Sequence, residues 1–107
     1  MEIFILQSKR NKTEGEIAAE REEIIDAVKK AYPDKNVKFV ESSIKGAMIK
    51  ASPLWGMGQL LQRLSAIDLV VFSHDAICER ECRISQVCCE EYDIPFAHYV
   101  DSQLITQ

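Results

Sequence analysis

Gln7, Ser8, Arg10 and Lys12 crowd into the short stretch just before a strong helix-start signal. Amide, hydroxyl, guanidinium and ammonium groups in such a loop can hold a phosphate or another anion through charge-assisted hydrogen bonds. The signal itself is Thr13-Glu14-Gly15-Glu16, which reads as a capping box with Thr13 as N-cap and Glu16 reaching back from N3. Upstream, Ile3-Phe4-Ile5-Leu6 reads as an apolar strand. In an open α/β sheet, ligands bind in the crevice beyond the carboxyl ends of the strands, and helix N-termini there favour negative charge. The alternative for these residues is a solvated turn whose charges touch nothing.

Further reactive side chains cluster in the second half of the chain. Glu79, Glu81 and Arg83 surround the start of a helix, where carboxylates suit the dipole; the other reading is an acid site near the crevice. Cys78, Cys82, Cys88 and Cys89 lie on or beside that helix, so they do not form a disulfide framework joining distant elements. His74, Cys78 and Cys82 are spaced one helical turn apart and could be read as zinc ligands. Structural zinc sites, however, draw paired ligands from knuckles or loops, and no C-x-x-C is present. Reduced, partly buried thiols with no metal and no cofactor are expected. His74 falls in a loop near the presumed crevice, whereas His98 falls on a strand, and neither has a Ser or Cys partner arranged as a triad. Trp55 and Met57 are candidates for a ligand pocket or a subunit contact, against a plain core role. Asp68, at the start of an apolar run, suits a strand-end cap.

These residues must be held by regular elements. A helix is expected over Glu14 to Tyr32, with Ile17, Ile24, Ile25, Val28, Ala31 and Tyr32 inward and Glu20 among the residues of the wet face. A short strand follows over Asn36 to Val40, then an irregular connection over residues 41–51. Pro53 opens a second helix capped by Ser52, with Leu54, Met57, Leu60, Leu61 and Leu64 as its stripe. The run Asp68-Leu69-Val70-Val71-Phe72 is typical of a strand buried on both faces. A third helix over Glu79 to Tyr92 carries Ile84, Val87 and Cys88 inward, and Ile94 to Val100 supplies a last strand. The tail after Asp101 is weakly specified. This alternation predicts a small doubly wound α/β domain: a Rossmann-like parallel sheet of four to five strands with helices on both faces. With 107 residues it is read as one domain spanning 1–107.

A formal charge of −4 argues against a duplex nucleic-acid binder. No apolar run approaches a membrane span, and the start lacks a signal peptide's apolar stretch, so a cytoplasmic location is expected.

The segment Phe4-Ile5-Leu6-Gln7-Ser8-Lys9-Arg10-Asn11-Lys12-Thr13 resembles the opening of small phage and bacterial proteins of the nucleoside 2-deoxyribosyltransferase superfamily, which read approximately F-I-S-Q-P-M-R-G-K-T. The likeness continues through Glu16-Ile17, Glu20-Arg21, Pro53-Leu54-Trp55, Leu64-Ser65, Asp68 to Phe72, Arg80 to Ile84, and Glu91-Tyr92-Asp93-Ile94-Pro95. The resemblance implies a Rossmann-like domain handling nucleosides or nucleotides, often as a homodimer or larger assembly. In that family a glutamate attacks the anomeric carbon and forms a covalent sugar intermediate, the logic of a retaining glycosidase.

Where the family places its nucleophile, this chain has Ser85, and the preceding glycine position is Glu81. The position of a second acid falls at Leu60. A serine hydroxyl without a base is a weak nucleophile and carries no charge to match an oxocarbenium ion. The resemblance therefore implies a divergent member without the family's chemistry: a nucleotide- or protein-binding module, with Gln7, Ser8, Arg10 and Lys12 toward the ligand. Two alternatives stand beside it. One is an active N-glycosidase or deoxyribosyltransferase using Glu79 or Glu81 as a relocated acid. The other is a phage-type accessory protein that sequesters a host nucleotide signal or inhibits a host protein.

Overall fold

A computed structural model describes residues 1–40 and 53–106. The irregular connection expected over 41–51 and the Ser52 cap lie outside the described residues. The elements run β1 (Glu2–Leu6), α1 (Glu14–Ala31), β2 (Lys38–Val40), α2 (Pro53–Leu64), β3 (Leu69–Ser73), a 3-10 turn (Ala76–Cys78), α3 (Arg80–Glu91), β4 (Phe96–Val100) and β5 (Gln103–Thr106). The five strands form one sheet in the order β2-β1-β3-β4-β5, parallel except for the antiparallel β4–β5 pair.

Strand order and helix placement have one cause. The chain steps from β1 outward to β2, then back across β1 to β3 and β4. Right-handed crossovers in opposite directions put their helices on opposite faces. Accordingly, Ile24 and Val28 of α1 pack on Ile3, Ile5, Leu69, Val71, Ala97 and Tyr99. Leu60 and Leu64 of α2, with Cys82 and Cys89 of α3, pack on Phe4, Val70 and Phe72 from the other side. Every residue of β3 is buried, as a central strand covered on both faces requires.

Local chemistry sets the ends. The Thr13 hydroxyl accepts from the Glu16 amide at 3.1 Å, and a Glu16 carboxylate oxygen accepts from the Thr13 amide at 3.3 Å, so the capping box forms as expected. Asp68 joins β1 to β3: its amide donates to the Glu2 carbonyl and its carboxylate accepts from the Glu2 amide at 2.6 Å. α3 ends with Asp93 in the left-handed region at φ 54° and the Ile94 amide donating to the Cys89 carbonyl, a Schellman-type stop.

Three expectations change. On α3 the inward residues are Cys82, Ser85 and Cys89, whereas Ile84 and Val87 are exposed. Cysteine is a small hydrophobe with a strong preference for the interior, and the 82-85-89 spacing is itself helical. On α2, Leu54 is 87% exposed, so the buried stripe begins only at the partly buried Met57. Ala31, expected inward on α1, is exposed.

The tail after Asp101 is a strand, joined to β4 by a hairpin of Asp101 and Ser102 at φ 50° and 61°. Two consecutive positive φ values make the tight turn that matches strand twist, and Asp tolerates that region better than most residues. Leu104 of β5 then packs on the α1-side core. Among the described residues, no helix is long and apolar enough to cross a membrane.

Candidate functional site

The connections from β1 leave toward β2 on one side and those from β3 toward β4 on the other, so a crevice opens between their carboxyl ends. The polar loop after β1 and the Ser73-His74-Asp75 segment at the end of β3 meet there, with Glu20 entering from α1 and Glu79 from the start of α3.

Lys12 is the centre of the arrangement. Its ammonium stands 2.6 Å from Asp75 Oδ2 and 3.3 Å from both Glu20 oxygens, with the side chains of Lys12 and Glu20 each only 15% exposed. Burial disfavours the Lys12 ammonium, but the hydrogen bonds to Asp75 and Glu20 and their negative charge outweigh it and raise its pKa. Burial likewise works against ionised Asp75, and the bonds from Lys12 and Ser73 overcome it and lower the Asp75 pKa. Ser73 donates to Asp75 Oδ1 at 2.9 Å. Gln7 Nε2 donates to Glu20 Oε1 at 2.8 Å and to the Ile17 carbonyl at 3.1 Å, fastening the loop to α1. The His74 imidazole lies 3.5 Å from Glu20 Oε2.

A second group forms around Glu79. The buried Ser8 hydroxyl donates to Glu79 Oε1 at 2.9 Å and accepts from the Arg10 amide at 3.3 Å. Arg10 Nε sits 3.9 Å from the same carboxylate oxygen, and the Arg10 side chain is 64% exposed. The crevice thus gathers three carboxylates, Glu20, Asp75 and Glu79, around two cations.

The structure brings Gln7, Ser8, Arg10, Lys12, His74 and Glu79 together. It does not bring Ser85 into that set. The Ser85 hydroxyl is fully buried and donates to the Glu81 carbonyl at 2.7 Å, a bond within α3. Glu81 enters these contacts only through that carbonyl. Leu60, the second-acid position, lies in the apolar cluster under the sheet. Trp55 is half exposed and Met57 packs against the same cluster. His98 stacks on Phe72 at 5.5 Å and meets Phe96 edge-on, a packing role.

The cysteines are free. Burial, together with the charges of Glu79, Glu81 and Asp75, pushes the Cys82 thiol up to about 12, so it is a poor metal ligand at neutral pH. Among the described residues, the side chains that converge closely enough to hold a metal are Glu20, His74 and Asp75, not His74, Cys78 and Cys82. That position is served by the Lys12 ammonium, which supplies the positive charge a cation would bring.

Sequence reasoning missed Glu20, Ser73 and Asp75 as site residues. Glu20 reads as one more charge on a wet helix face, and Asp75 carries no motif. The available signal is position, and only for Ser73 and Asp75, which lie at the end of β3 where the sheet order reverses; Glu20, inside α1, carries none. No protein-family model, curated protein or solved structure matches the chain. The fold and crevice define a doubly wound α/β domain with a polar, predominantly acidic switch-point site.

Proposed function

We propose that the chain is a non-catalytic module that binds a nucleoside or nucleotide in the switch-point crevice, on a scaffold similar to that of the nucleoside 2-deoxyribosyltransferases. The observation that supports this reading is the meeting of Ser8, Arg10 and Lys12 from the β1 side with His74, Asp75 and Glu79 from the β3 side. Carboxylates accept hydrogen bonds from sugar hydroxyls and base amino groups. Arg10, exposed and only loosely paired, is the cation free to turn toward a phosphate. Ser85, enclosed and bonded within its own helix, supplies no nucleophile.

The test is a thermal-shift series with nucleosides and nucleoside 5′-monophosphates, each stabilising compound then assayed for base release by chromatography. A ligand at a hundred times its Kd adds about 2.7 kcal/mol of stability, which moves the midpoint of a domain this size by about 10 °C or more. The expected result is a shift without base release. Arg10→Ala should then remove any preference for the monophosphate over the nucleoside.

The second reading, an N-glycosidase, rests on Glu79. Its carboxylate lies in the crevice, is oriented by Ser8 and is 24% exposed. Base release that disappears in Glu79→Gln would establish it. Absence of any shift across both compound classes would turn the search toward a protein partner.

A further inference from the structure

Glu79 reaches away from its own helix. It stands at the N-cap of α3, yet its side chain makes no capping hydrogen bond to that helix. Instead the carboxylate crosses to the loop after β1. There Oε1 accepts from the Ser8 hydroxyl at 2.9 Å and lies 3.9 Å from Arg10 Nε. Ser8 is only 1% exposed, and its oxygen also accepts from the Arg10 amide at 3.3 Å. A fixed hydroxyl and a guanidinium therefore converge on one negatively charged oxygen.

Carboxylates and phosphates recruit the same charge-assisted donors, so Glu79 holds the place that a terminal phosphate oxygen would take. The other cation of the crevice cannot serve instead, because Lys12 is committed to Asp75 and Glu20. A phosphate settling beside ionised Glu79 would meet like charge at close range, which is strongly unfavourable.

We infer that Glu79 is an internal competitor for the ligand's phosphate: its carboxylate fills the Ser8–Arg10 position in the free protein and leaves it when a phosphate monoester binds. The inference rests on the crevice reading proposed above, and only on its phosphate end. The Arg10 contact is long and exposed, so it holds the carboxylate weakly and can open. A phosphate monoester brings about two negative charges and three acceptor oxygens, enough to take the Ser8 hydroxyl and the Arg10 guanidinium together. The displaced carboxylate has a favourable place beside it, because the first amides of α3 carry no N-cap side chain and attract negative charge. A neutral nucleoside brings no group that displaces Glu79 and binds with the carboxylate in place. Glu79 thereby sets how strongly the crevice favours a phosphorylated ligand over a neutral one.

The test is titration of the intact protein with sodium phosphate at constant ionic strength, following the amide of residue 10 by NMR. Inorganic phosphate makes the outcome independent of any base or sugar. The expected result is a saturable shift in the wild type and about ten-fold tighter binding in Glu79→Gln and in Glu79→Ser. Serine is a preferred N-cap, so the second variant keeps the start of α3 anchored. Glu91→Gln removes the same charge at the far end of α3 and should leave phosphate affinity unchanged. Arg10→Ala added to Glu79→Gln should cancel the gain. Equal or weaker affinity in both Glu79 variants, the same gain in Glu91→Gln, or no saturable response at residue 10 would overturn the inference. Tighter phosphate binding in the Glu79 variants, with no response to any nucleoside or nucleoside monophosphate, would uphold the competitor and remove the nucleoside reading instead.

Discussion

Replacing Lys12 by methionine keeps the aliphatic stem and removes the charge that holds the crevice together. The ammonium bonds to two carboxylates at 2.6 and 3.3 Å, in a place where Lys12 is 15% and Asp75 23% exposed. Exposed pairs contribute about 0–1 kcal/mol and truncation of a fully buried pair costs about 3–5 kcal/mol. This half-enclosed triad belongs between them, so Lys12→Met should lose about 2–3 kcal/mol, a fall in midpoint on the order of 10 °C or more.

The pH dependence of that loss follows from the two shifts. The folded Asp75 pKa is lowered, so its contribution is complete above the unfolded value near ~4 and is lost as pH falls through the folded value. The folded Lys12 pKa is raised, so its contribution is complete below about 10.4 and is lost as pH rises through the folded value. The difference between wild type and Lys12→Met, measured by urea denaturation across pH 3–11, should form a plateau that shrinks at both ends. A loss under about 0.5 kcal/mol, or one unchanged through the acid range, would refute the reasoning, since it would place the pair in the class of screened surface contacts.

Three other outcomes follow from the same geometry. In Lys12→Met the Glu20, His74 and Asp75 ligands are left without their internal cation, so zinc should raise the thermal midpoint of this variant and leave that of the wild type unchanged. Ser85→Glu places a charged, larger side chain at a fully buried position and should lower stability by about 3 kcal/mol or more without creating base-release activity, whereas Ser85→Ala should change urea stability by less than about 1 kcal/mol. Thiol labelling at pH 8 should modify exposed Cys78 first. Cys82, its thiol pushed up to about 12, and Cys89, pushed up to about 11 by burial and by neighbouring Cys88 and Glu90, should react only as the protein opens.

Much of the architecture was legible because it rests on local signals. The capping box at Thr13 and Glu16, the unbroken apolar run at β3 and the alternation of helical and strand periods each act within a few residues, and together they predict helices on both faces of a parallel sheet. Where hydrophobicity alone was the guide it failed. Ile84 and Val87 are larger apolar side chains than cysteine and serine, yet the phase in which α3 meets the sheet turned Cys82, Ser85 and Cys89 inward. β5 escaped notice because its turn uses Asp101 and Ser102 at positive φ without the glycine that usually marks a tight hairpin.

The candidate site divides along the same line. The chain by itself determined that a loop with Ser8, Arg10 and Lys12 would leave a strand and enter a capped helix, since strand, polar loop and cap are contiguous. Only the tertiary structure decided what those side chains would meet. Glu20, Asp75 and Glu79 arrive from three different segments, and the strand order that sets β1 beside β3 brings them within hydrogen-bonding reach of Lys12 and Ser8. That order arises from burying two apolar faces at once, a property of the whole sheet that no short stretch carries. It turned a basic loop suited to an anion into an acidic crevice in which Lys12 is already engaged and Arg10 is held only loosely.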